Sequence, residues 1–69
     1  MQTRYRVHGM TCDHCVAHVT EEVSALPGVT HVTVSLAQSA MLVDSPSPID
    51  FAAIQDAVSE AGDYTVEQA

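Results

Sequence analysis

Two apolar stripes with the same spacing constrain this chain more than any other feature. Val16, Val19, Val23 and Leu26 stand 3, 4 and 3 positions apart, and Phe51, Ile54, Val58 and Ala61 repeat the interval. That interval gathers side chains on one face of an α-helix and scatters them over both faces of a strand. Each stripe therefore predicts a helix with one face to bury. Around them the period changes to two. Tyr5 and Val7 alternate with Arg4, Arg6 and His8, and Val32, Val34 and Leu36 alternate with His31, Thr33 and Ser35. After a turn at Ala37–Ala40, Met41 and Val43 alternate with Leu42 and Asp44, and Tyr64–Glu67 makes a last short strand. This is the pattern of strands with one wet face.

The punctuation agrees with that division. Gly9 ends the first strand, and Pro27-Gly28 predicts the end of the first helix, because proline lacks the next donor and glycine accepts a left-handed cap. Ser47-Pro48-Ile49-Asp50 predicts the start of the second, with Ser47 as cap and Pro48 in the first position. Gly62 closes it. The order β-α-β-β-α-β is a split βαβ arrangement, α+β in class, with two helices on one face of a four-stranded antiparallel sheet.

A chain of 69 residues with 46% hydrophobic residues makes one folded domain, residues 1–69, with a modest core. There is little volume for a deep catalytic cavity, so chemistry belongs at the surface. Arg4 and Arg6 are the only strong cations against nine carboxylates, a net charge of −7 with no lysine. That balance argues against nucleic acid and anionic membranes as partners and favours a neutral or basic protein patch. No apolar run is long enough to insert in a membrane, and MQTRYRVHG is no signal peptide, which predicts a cytoplasmic location.

Chemistry concentrates in Gly9-Met10-Thr11-Cys12-Asp13-His14-Cys15. Two cysteines three apart cannot staple a fold, and a reducing cytosol leaves them free. Cys12 falls on the loop and Cys15 in the first helical turn, where unpaired N–H groups and the helix dipole lower thiol pKa and stabilise a metal dithiolate. Thiolates select Cu(I), whereas a structural zinc site wants four protein ligands. Cu(I) held by two sulfurs admits a third thiolate from another protein, which permits handover or a copper-bridged homodimer. That is transport, not catalysis. A thiol-disulfide oxidoreductase would use the same C-x-x-C, but the chain is short for a thioredoxin-like fold and Thr11 replaces the usual aromatic. Haem attachment is excluded because Val16 follows Cys15.

Other candidates have simpler roles. Met10 is a gap-filler of the core rather than a thioether ligand. His14 and His18 are four apart and read as solvated, with His14 the nearer neighbour able to tune the thiols. His8 and His31 fall on the outward sheet face. Asp13 suits the helix start, yet its charge raises thiol pKa by repulsion.

Gly9-Met10-Thr11-Cys12-x-x-Cys15 after a strand, with Ala61-Gly62 and Tyr64 after the second helix, resembles the heavy-metal-associated domain family, and bacterial cytosolic copper chaperones in particular. The resemblance runs from Tyr5 to Val66. It implies a ferredoxin-like fold, Cu(I) held by Cys12 and Cys15, and delivery to the metal-binding domain of a P-type copper-exporting ATPase. It also implies that Met10 packs beneath the loop without ligating, and a histidine at the position of His14 is familiar in bacterial members. Two departures stand out. Asp63 intervenes where the family commonly runs Ala-Gly-Tyr, and Ser39, Ala40 and Leu42 replace Gly-Lys and an outward threonine, leaving an apolar spot on the open sheet face. The alternative is a metal-binding domain excised from a copper ATPase or a mercury-handling protein. Met1 just before the first strand and the short tail Gln68-Ala69 favour an independent gene product.

Overall fold

The computed structural model describes residues 1–69. Its elements are β1 (Gln2–His8), α1 (Asp13–Ser24), β2 (His31–Ser35), β3 (Ala40–Asp44), α2 (Phe51–Ala61) and β4 (Thr65–Gln68). The four strands form one antiparallel sheet in the order β2-β3-β1-β4. β3 lies between β1 and β2, the split expected of this element order. Tyr5 stands opposite Met41, Val7 opposite Val66, and Val32 opposite Val43, so the period-two apolar residues share one face. Against them α1 lays Val19 and Val23 and α2 lays Ile54, Ala57 and Val58, closing a single core. The architecture is the ferredoxin-like sandwich, with Arg4, Arg6, His8, His31 and Thr33 exposed on the other face. No helix is long and apolar enough to cross a membrane.

Four boundaries differ from expectation, the smallest being β4, which runs Thr65–Gln68 rather than Tyr64–Glu67. α1 stops at Ser24, and its cap residue Ala25 is right-handed (φ −77°) rather than a left-handed glycine. Leu26 precedes a proline, which disfavours helical backbone there, and its N–H bonds the Val23 carbonyl at 3.1 Å, a tightened last turn. Leu26 still packs on the core, and Gly28 (φ +90°) serves the turn that follows.

α2 begins at Phe51, not Pro48, and Ser47 caps nothing: its carbonyl accepts the Ser45 hydroxyl at 2.7 Å. Asp50 is the cap residue, through its backbone alone. An extended approach carries Ile49 onto the core ahead of buried Ile54, the positions of a hydrophobic staple. Apolar burial outweighs the local capping preference of Ser47. In the hairpin, Ala40 belongs to β3, and the turn is Leu36–Ser39 with Ser39 left-handed (φ 50°). The Val7 N–H bonds the Ser39 carbonyl at 2.9 Å and carries the ladder up to the turn.

Candidate metal centre

β1 delivers the chain to Gly9, whose φ of +102° turns it toward the start of α1. Cys12 is the N-cap residue, extended (φ −156°, ψ 173°), with no side-chain capping bond, so its thiol is free of the helix. Its carbonyl accepts the N–H groups of Cys15 and Val16 at 3.1 and 3.3 Å. This first turn brings the two Sγ atoms to 3.5 Å. That is contact distance between free thiols, well outside a disulfide bond. Cys12 is exposed and Cys15 half-buried.

The electrostatics favour a thiolate on Cys15. Its pKa is lowered from 9.0 to about 6, first by the Thr11 backbone N–H, then by the Tyr64 hydroxyl and the Cys12 thiol, against a smaller opposing effect of desolvation. Thr11 Oγ1 lies 3.9 Å from the same sulfur. The hydrogen bond to Cys15 in turn raises the Tyr64 pKa.

The Tyr64 ring stands beside the thiol loop because two glycines make room for it. A Cβ on Gly62 would sit 2.9 Å from Tyr64 Cε2, and one on Gly9 would sit 3.2 Å from Tyr64 Cδ1 and 3.0 Å from the Asp63 carbonyl oxygen. The inserted Asp63 does not displace the tyrosine. The Tyr64 N–H bonds the Gly62 carbonyl at 2.8 Å, so the extra residue is taken up in a γ-turn centred on Asp63.

The remaining candidates separate. Met10 is half-buried and packs against the core, as a gap-filler does. His14 is exposed and makes no hydrogen bond to either sulfur; Tyr64 and Thr11 occupy the tuning role expected of it. Thr11 carried no site expectation, and its only signal was adjacency to Cys12. His18 lines an open hollow between the helices with Glu21, Glu22, Glu60 and Ala61. His31 is exposed, and His8 Nε2 lies 3.0 Å from Glu67 Oε1, a pair that only the β1–β4 pairing reveals. Nowhere do three or more His, Cys, Asp or Glu side chains converge on one point. The geometry therefore offers two soft donors at one exposed spot and leaves the outer side open.

The family model of the heavy-metal-associated domain matches residues 4–63. Copper-transporting ATPase 1 of Rhizobium meliloti is 40% identical over 65 residues, which is 94% of this chain but only 8% of that protein's length. The COP-associated protein of Helicobacter felis is 38% identical over 56 residues, covering 81% of this chain and 85% of the relative. Among solved structures, a CopZ metallochaperone superposes with a TM-score of 0.86 at 29% identity, over 97% of this chain and all of the other. The matched span takes in the thiol loop, both helices and the strands from Arg4 to Asp44, so the chain belongs to the heavy-metal-associated domain family.

Proposed function

We propose that this domain, residues 1–69, is a cytosolic copper chaperone that carries one Cu(I) on Cys12 and Cys15 and passes it to the metal-binding domain of a P-type copper-exporting ATPase. The observation that carries the reading is the pair of sulfurs 3.5 Å apart at an exposed helix start, with no third donor converging on them. The likeness to a CopZ metallochaperone along that chain's whole length supports the carrier role. The likeness to a copper-transporting ATPase supports the class of acceptor.

Handover follows from the coordination. An acceptor thiolate enters on the open side and makes a three-sulfur intermediate; the Cys12 and Cys15 sulfurs then leave in turn as further acceptor sulfur binds. No covalent bond within a substrate is made or broken, so the protein is a carrier and not an enzyme. A Tyr64 hydroxyl donating to the Cys15 thiolate would draw electron density from that sulfur and loosen its hold on the ion. Met10 supports the loop from the core side, and His14 stands at its outer edge. When acceptors are lacking, the same opening lets two loaded molecules share copper as a bridged dimer.

Anaerobic titration of reduced protein with Cu(I) against a chromogenic chelator tests the assignment. One equivalent binds tightly, excess Zn(II) fails to displace it, and Cys12→Ser or Cys15→Ser abolishes tight binding. Undiminished affinity in the double serine variant overturns the site.

A further inference from the structure

Five carboxylates, Asp13, Glu21, Glu22, Asp56 and Glu60, ride on the two helices, and the open sheet face carries both signs, Arg4 and Arg6 together with Asp44 and Glu67. No carboxylate lies within 4.0 Å of either guanidinium, since the sole ion pair is His8 with Glu67. Glu67 sits directly across from Arg6 in the β1–β4 ladder, yet its carboxylate turns to His8. In an acidic chain, both strong cations are thus free.

Arg4 borders a shallow hollow of about 160 Å³ with Thr33, Ser35, Gln38, Ala40 and Leu42. The ladder explains its composition: Arg4, Leu42 and Thr33 form one cross-strand row, and Arg6, Ala40 and Ser35 the next. Ala40 leaves the floor low, and Leu42 makes it apolar. The Gln38 backbone N–H bonds Ser35 Oγ at 3.3 Å, which leaves the serine hydroxyl hydrogen available to an incoming acceptor. The volume is below the roughly 300 Å³ at which small-molecule and cofactor pockets begin, and suits one side chain presented by another protein. A guanidinium fork beside hydroxyl donors over an apolar floor matches a carboxylate with its methylene stem.

We propose that the open sheet face is a docking surface for an acidic segment of a partner protein, with one carboxylate forked on Arg4 over Ala40 and Leu42 and a second on Arg6. The Leu36–Ser39 turn is at the same end of the sheet as the thiol loop, so the docked segment lies beside Cys12 and Cys15 on a different face and leaves them open. The inference stands on the sheet face alone and does not depend on the copper reading.

The test is an NMR titration of reduced, isotope-labelled protein, metal-free and Cu(I)-loaded, with a capped oligoglutamate peptide. Saturable shifts gathered at Arg4, Arg6, Thr33, Ser35, Gln38 and Leu42 are expected, weakening as salt rises past about 0.15 M. Arg4→Gln lowers affinity about tenfold, and Arg4→Lys, which keeps the charge but loses the fork, falls between. Ala40→Leu fills the hollow and is a second, charge-neutral check. Equal shifts with oligoglutamine or inorganic phosphate overturn the proposal, as do shifts confined to α1 and α2. Shifts that follow protein concentration without peptide assign the face to a second copy of the chain and also overturn it. So does unchanged affinity in folded Arg4→Gln and Ala40→Leu proteins.

Discussion

Replacing Tyr64 by phenylalanine removes one hydroxyl and keeps the ring that fills the slot between Gly9 and Gly62. The hydroxyl ranks second, behind the Thr11 backbone N–H, among the groups that hold the Cys15 pKa at about 6. With a midpoint near 6, about nine-tenths of Cys15 is thiolate at pH 7. Without the tyrosine donor the midpoint climbs toward the ordinary 9.0, and a climb to about 7 leaves about half as thiolate at pH 7. Ultraviolet thiolate absorbance of the metal-free, reduced protein against pH reads this directly. A parallel series of iodoacetamide alkylation rates on Cys12→Ser and Cys12→Ser/Tyr64→Phe proteins isolates Cys15. The fold and the Thr11 N–H are untouched, so the midpoint moves up with the structure intact, and the part of the metal-free stability above pH 6 that comes from the depressed Cys15 pKa shrinks with it. A Tyr64→Phe midpoint equal to that of the parent protein would refute the hydroxyl contact and reduce Tyr64 to a packing residue.

The glycines that frame the ring should respond differently from each other. In Gly62→Ala the new methyl meets the far edge of the ring, 2.9 Å from Cε2, so relief moves the Tyr64 ring and the thiol midpoint rises as in Tyr64→Phe, with some stability also lost to the positive φ of +156°. Gly9→Ala meets backbone at the Asp63 carbonyl in a left-handed conformation, which shows mainly as about 1–3 kcal/mol of lost stability in urea unfolding. The low Cys15 pKa also sets a pH dependence: the folded state favours the thiolate, so metal-free stability is gained between about pH 6 and 9, is full above that range, and is lost as pH falls through 6. Urea midpoints across that window check the sign, and a Cys15→Ser protein should lose this rise. Ile54 is one of the core residues with no exposed surface. Ile54→Ala costs about 2–5 kcal/mol, lowering the thermal midpoint by about 10 °C or more in a domain this small, with copper stoichiometry unchanged in the folded fraction.

The element order and the thiol loop were legible along the chain because both are local. The stripe Phe51, Ile54, Val58, Ala61 reports its own helix, and a cysteine three residues after another at a helix start shares its corner whatever the rest does. Boundaries were legible only where local preference and packing agreed. Ser47-Pro48 carries the stronger capping signal, but burial of Ile49 and Ile54 moved the helix start to Phe51, and Leu26 kept its core contact after its helix had ended. What tertiary structure alone decided are the meetings of residues from opposite ends of the chain. Tyr64 stands beside the thiol loop because a turn at Asp63 and two side-chain-free positions leave room for it there, and Glu67, brought over β1 by the β1–β4 pairing, bonds His8 and not Arg6. A residue's neighbours along the chain determine its periodicity and helix-end chemistry. Its neighbours across the sheet depend on how two apolar faces close over one core, and that closure left both arginines unpaired on the side facing water.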